Sequence, residues 1–211
     1  TFDVTCKDEG DIVQLVQKCA GNSACTAKVV VRGIGDMKSL VGDLHAALGG
    51  DIHRAFEVGT RAMTCLQHHH HVLKALKVFG IEKTASLYLA YELYMIPVGT
   101  TGHEHQQRWL SDEAAFRAVR DCRPEPPSYL FDTYDAEHSG IPATQKVMGE
   151  DPGRRCSVRF DSGDQEAQLR QFMQGPYQPD LFIFMDGYDH DRTYEMERLC
   201  TKEGIPTEAR I

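Results

Sequence analysis

The 211-residue chain lacks any uninterrupted apolar stretch approaching the roughly 18–20 residues that a membrane-spanning helix needs, so a soluble protein without a membrane partner is expected. It also lacks a run of basic residues. With 23 Lys and Arg against 31 Asp and Glu, the formal charge is −8, and no electrostatic footprint for wrapping a nucleic acid is present. No C-x-x-C pair occurs among the seven scattered cysteines, which removes the usual zinc and redox signatures. Reduced, mostly buried thiols and a cytoplasmic location are the expectation. No positively charged segment followed by an apolar one opens the chain at Thr1, so no signal peptide is visible. The Walker-type G-x-x-x-x-G-K-[ST] loop, the H-E-x-x-H zinc helix and the G-x-S-x-G nucleophile elbow are likewise missing.

What the sequence does contain is an alternation of helix-like periodicity with short β-branched or aromatic runs, the pattern of an α/β chain. Strands are expected at 27–32, 95–98, 129–131, 156–160, 181–185 and 208–211. Helices are expected at 10–20, 37–48, 60–79, 84–94, 105–122, 142–148, 165–173 and 192–202. Strand and helix alternate most regularly after residue 95.

Three of the apolar runs end at once in an acidic turn: LFDTYD at Leu130–Asp135, VRFDSGD at Val158–Asp164 and LFIFMDGYD at Leu181–Asp189. Ligands of parallel α/β folds bind at the carboxyl ends of the strands, so these turns are expected to line one mouth. Asp, Ser and Gly also make good turns and helix N-caps, and any single turn reads either way. Three in succession favour a site. Its carboxylates would be Asp132, Asp135, Asp161, Asp164, Asp186 and Asp189, a set suited to Mg²⁺, which takes one or two protein carboxylates together with phosphate oxygens and water. Arg61 and Arg159 are the guanidinium groups placed to meet an anionic substrate.

PVGTTGH at Pro97–His103 reads as a strand end, a small hydroxyl-bearing loop and a histidine opening a helix. Such a loop can direct backbone N–H groups and a helix dipole at a phosphate. The tract His68–His71 lies inside helix-forming sequence. Successive helical side chains point about 100° apart, so the four cannot share one metal, and one or two are expected to face the interior or a ligand.

FEVGTR at Phe56–Arg61, PVGTTGH, LFDTYD and VRFDSGD, in this order and at these separations, resemble nicotinate phosphoribosyltransferase, with the match running from about Gly49 to the end of the chain. The resemblance implies an irregular α/β barrel of the type II phosphoribosyltransferases, incomplete here. It implies residues 1–48 as a segment without assignment and 49–211 as the barrel region. The implied reaction joins nicotinate to 5-phosphoribosyl-1-diphosphate, gives nicotinate mononucleotide and pyrophosphate, and is coupled to ATP hydrolysis through a phosphohistidine. Carried over by position, His103 is the phosphoryl acceptor, Asp161 is a second catalytic residue set against the ribose, the diphosphate or its Mg²⁺, and Arg61 holds the nicotinate carboxylate. Thr84, Ser86, Gly99, Thr100, Arg159, Ser162, Asp186 and Gly187 contact substrate, and Asp132 and Asp164 serve Mg²⁺. A homodimer is implied as well.

The chain departs from that pattern in three places. Ala62 stands where many members carry a second Arg, and Thr84-Ala85-Ser86 replaces a Thr-Ser-Asn run. The chain is also about half the usual length, ending at Ile211 where a Gly-rich phosphate loop is expected to begin. The alternatives are a phosphoribosyltransferase for nicotinamide or another pyridine base, a non-catalytic binding module, and a His-rich metal-binding protein.

Overall fold

In a computed structural model, which describes residues 2–4, 27–29, 34–61, 63–122, 124–185 and 190–210, every paired strand is parallel. The chain divides into two units, Thr1–Val98 and Gly99–Ile211. Residues 48/49, where the resemblance begins, fall inside the first unit.

In the first unit β1 (Phe2–Val4) pairs with β2 (Ala27–Val29), and α1 (Ile34–Ala47) follows. Helix α1 stops at Gly49 and Gly50, both at positive φ, where the Gly50 N–H returns to the His45 carbonyl at 2.9 Å. The expected helix at 10–20 lies outside the described residues. The expected helix at 60–79 is shorter, α2 (Leu66–Val78), because Gly59–Arg61 forms a separate 3-10 turn and the Cys65 sulfur caps the helix by accepting from the His68 N–H. Lys83–Thr84 is a short strand, β3, rather than the start of a helix; α3 (Leu87–Leu93) and β4 (Ile96–Pro97) complete the unit. Glu57 bridges to Thr84 on the edge of β3 opposite β4. Leu73, Leu89, Ala90, Leu93 and Met95 form one small core, and Val41, Leu48, Ile52 and Ile81 another.

The second unit carries the sheet β5 (Ser128–Leu130), β6 (Ser157–Phe160) and β7 (Leu181–Phe184), in that order. The expected helix at 105–122 is two helices, α4 (His103–Gln107) and α5 (Asp112–Asp121), because Ser111 caps a new start by accepting from the Ala114 N–H. A π-helical turn (Ala136–Gly140) leads into α6 (Ile141–Glu150); α7 (Gln165–Met173) lies between β6 and β7, and α8 (His190–Lys202) comes after β7. The strand expected at 208–211 is instead a 3-10 turn (Thr207–Ala209) with a single bridge from Arg210 to Phe182.

Strands of a parallel sheet with both faces covered run largely apolar, and β5 is buried along its whole length, with Tyr129 and Leu130 in the interior. The core is built on phenylalanines: Phe131 meets Phe160 edge-on at 4.9 Å between ring centroids, and Phe160 stacks on Phe184 at 5.0 Å. Packing α6 and α7 onto the sheet holds the carboxyl ends of β5 and β6 in register. On the outside, Glu150 of α6 accepts from Arg117 and Arg120 of α5. The described cysteines, Cys65, Cys122, Cys156 and Cys200, are free thiols. Among the described residues no helix is long and apolar enough to cross a membrane.

Candidate active site

Two of the acidic turns emerge side by side, and each splits its carboxylates the same way. After β5, Asp135 caps the π-helical turn by accepting from the His138 N–H at 2.9 Å. After β6, Asp164 caps α7 by accepting from the Ala167 N–H at 3.0 Å. The second Asp of each D-x-x-D is thus spent on the backbone. The first, Asp132 and Asp161, turns toward His103 instead: one ligand atom from each of His103, Asp132 and Asp161 lies within 4.8 Å of the others. Asp164, expected with Asp132 on Mg²⁺, is exposed and caps α7 through Oδ1.

Asp161 is the hub. Its Oδ2 lies 3.1 Å from His103 Nε2, and its Oδ1 accepts from Arg159 Nη2. Arg159 also donates through Nη1 to Thr100 Oγ1 at 2.8 Å, which ties the PVGTTGH loop to β6. On the other side of the imidazole, Nδ1 lies 3.0 Å from Thr133 Oγ1. Ser162 Oγ donates to Asp132 Oδ2. Asp161 is 20% exposed and His103 41%, so the pair is sheltered yet reachable.

Two polar atoms at this point are buried without a partner: Asp132 Oδ1, an acceptor, and Arg159 Nε, a donor. An orphaned buried group of this kind costs on the order of 1–3 kcal/mol, and each is satisfied if a ligand or ion brings the missing partner. Asp132 Oδ1 fits a divalent cation, since a carboxylate oxygen with a free lone pair is the donor that a hard ion takes. The expected dipole of the helix after PVGTTGH is small, because α4 has only five residues, so an anion here would be held by side chains.

The remaining expected site residues fall as follows. Gly99 is exposed at the opening of the second unit, next to Thr100. Asp186 and Gly187 lie outside the described residues. In the first unit Arg61 ends the 3-10 turn that follows the Glu57 bridge, again past the carboxyl end of a parallel strand segment. Thr84 is fully buried; its hydroxyl donates to Glu57 Oε2 at 2.6 Å and accepts from the Ser86 N–H at 3.1 Å. Thr84 thereby ties the turn before α3 to Glu57. Ser86 is the N-cap residue of α3 and half-buried.

Of the histidine tract, His69 is the interior member: it is 2% exposed, with Nε2 3.0 Å from Glu57 Oε1. His70 and His71 border a cavity of about 250 Å³ shared with Tyr88 and Glu92. Burial and the neighbouring His69 and His71 hold the His68 ring below its ordinary basicity.

Sequence reasoning missed Thr133 and Gln106. Thr133 lies between the acidic residues of LFDTYD, and Gln106 sits one turn beyond His103 on α4. That i,i+3 spacing is the only signal that pointed to it. Glu57, inside FEVGTR, was passed over as well.

Comparison with protein-family profiles gives no match, and comparison with curated proteins gives none. Among solved structures the fold is similar to that of nicotinate-nucleotide pyrophosphorylase from Pyrococcus furiosus (16% identity, TM-score 0.62, covering 77% of this chain and 42% of that one). It is similar also to human nicotinic acid phosphoribosyltransferase (18% identity, TM-score 0.61, 81% of this chain and 45% of that one). A third is nicotinate phosphoribosyltransferase from Vibrio cholerae (24% identity, TM-score 0.59, 79% and 43%). The chain thus has the α/β fold of a part of these enzymes and spans less than half the length of each.

Proposed function

We propose that the chain carries the phosphoribosyl-transfer site of a nicotinate phosphoribosyltransferase acting in NAD salvage, with 5-phosphoribosyl-1-diphosphate and nicotinate as substrates and ATP hydrolysis coupled to the transfer. The observation that carries this reading is the meeting of His103, Asp161 and Arg159 at the carboxyl ends of β5 and β6, in a fold similar to that of nicotinate phosphoribosyltransferases. The same reading includes the irregular α/β barrel of type II phosphoribosyltransferases and a homodimer.

Displacing pyrophosphate from the anomeric carbon builds positive charge on the ribose and negative charge on the leaving group. Fixed groups of opposite sign lower that barrier because they need no reorganisation as the charges develop. Arg159, held by Asp161 and Thr100, is the cation for phosphate oxygens, and its free Nε is the donor left over. Asp132 would hold Mg²⁺, which when bound neutralises the diphosphate and polarises its oxygens. His103 is the group that accepts a phosphoryl from ATP, giving the nucleotide a covalent route into the cycle. Arg61 would bind the nicotinate carboxylate; with neutral nicotinamide its charge goes unpaired, at a cost of about 2–3 kcal/mol.

The test is turnover of labelled nicotinate and, in parallel, labelled nicotinamide with 5-phosphoribosyl-1-diphosphate. The reading expects labelled nicotinate mononucleotide and little product from the amide. Equal use of both bases removes the role of Arg61, and no product from either overturns the reading.

A further inference from the structure

We infer that Gln106 and Thr133 fix the tautomer of His103 and thereby select Nε2 as its reactive nitrogen. The inference rests on His103 being the phosphoryl acceptor, and it follows from counting protons along one hydrogen-bonded chain.

Gln106 is 1% exposed, and its amide nitrogen donates to the main-chain carbonyl of Leu130, the last residue of β5. A carbonyl oxygen can only accept, so the end of the Gln106 amide facing Leu130 is the NH₂ group and the other end is the oxygen. That oxygen accepts from Thr133 Oγ1. Thr133 has a single hydroxyl proton, and it is committed to Gln106. What Thr133 offers His103 Nδ1, 3.0 Å away, is therefore a lone pair, and the contact is a hydrogen bond only if Nδ1 carries hydrogen. Held between Thr133 and the Asp161 carboxylate, the protonated ring carries a hydrogen on each nitrogen, and Asp161 is the only one of the two neighbours able to take a proton, so it is the Nε2 hydrogen that leaves and the nucleophilic lone pair is freed on Nε2 while Nδ1–H stays.

Nε2 faces Asp161 Oδ2 at 3.1 Å, and a carboxylate is the natural recipient of a proton leaving that nitrogen. In the phosphoryl step the Nε2 proton passes to Asp161 and the freed lone pair attacks the γ-phosphorus of ATP. The Nε2–P bond forms as the bond from Pγ to the β-phosphate oxygen breaks, and ADP leaves with that electron pair. Throughout, Nδ1–H stays on Thr133. Gln106 and Thr133 are positioning residues: they act through the ring. Because the relay ends on the backbone of β5, the orientation of the imidazole is set by the sheet.

The decisive experiment is long-range ¹H–¹⁵N correlation on histidine-labelled protein without nucleotide, at a pH where the ring is neutral, with His103 assigned by its loss in His103→Ala. The expected pattern is the Nδ1–H tautomer in the wild type. Thr133→Val, which keeps the shape and removes the hydroxyl, should move His103 to the Nε2–H form or to a mixture. Thr133→Ser restores the hydroxyl and should restore Nδ1–H, which separates the relay from a fault in folding. An Nε2–H tautomer in the wild type, or no change in Thr133→Val, overturns the inference. A second readout adds ATP and locates the phosphoryl group by ³¹P–¹H correlation: phosphate on Nε2 is expected, and phosphate on Nδ1 overturns the selection. A protein that shows Nδ1–H yet takes up no phosphate on His103 sinks the acceptor role while the relay stands, so the two failures are distinguishable.

Discussion

Gly140 lies so close to Phe131 that a β-carbon on it would come within 1.7 Å of the Phe131 carbonyl oxygen. Its backbone is ordinary helical, so the requirement for glycine is one of space alone. The contact locks the π-helical turn against the end of β5, one residue before Asp132. Gly140→Ala should therefore push the strand end aside, costing about 1–3 kcal/mol. A lowered urea midpoint together with weaker diphosphate binding is expected. An unchanged midpoint would mean that the backbone yields more freely than the packing suggests.

Asp161→Asn removes the charge that holds both Arg159 and His103 while keeping the shape. Product formation from nicotinate is expected to fall on the order of 100-fold or more, since the residue orients one catalytic group and receives its proton. Wild-type rates in this variant would make the turn a structural one.

Two members of the histidine tract should respond differently to truncation. His69→Ala leaves Glu57 buried with a lost partner and is expected to destabilise the fold by about 2–4 kcal/mol. His71→Ala changes an exposed side chain and should stay within about 0.5 kcal/mol. Equal midpoints for the two variants would remove the interior role of His69.

Acid should loosen the contact between α5 and α6. Hydrogen bonds from Arg117 first and Arg120 second hold the Glu150 carboxyl down from its ordinary 4.5 to about 2. A carboxylate depressed on folding contributes stability that is present above the unfolded value and is lost as pH falls through the folded one. The wild type should therefore lose more stability between pH 4.5 and 2 than Glu150→Gln, whose amide does not titrate. Parallel acid profiles for the two proteins would contradict this.

Much of the second unit was legible in the sequence because its strands are short apolar runs cut off by acidic turns; 157–160 and 181–184 sit within a residue of where patterning put them. The break between α4 and α5 was hidden by Trp109 and Leu110, whose apolar character continues the helical pattern although both are exposed. Ser111 followed by Asp112 and Glu113 is a capping signal that could have revealed it. Lys83–Thr84 carries no strand signature, since two residues hold no period, and becomes a strand only because β4 and Glu57 flank it. The site was legible in part for the same reason. Asp132, Asp161 and His103 have chemistry that draws attention, but which Asp of each pair caps a helix and which faces the histidine is decided by the turn geometry. Gln106 gains its role entirely from ending beside Leu130 and Thr133, residues distant in sequence.

The most direct test of the central claim follows two labels at once: nicotinate into its mononucleotide and ATP into ADP, for the wild type and His103→Ala, with 5-phosphoribosyl-1-diphosphate present. Product that rises with ATP in the wild type, with ATP consumption abolished and a slow residual transfer retained in the variant, is what the site predicts. Equal ATP consumption by both proteins would contradict it.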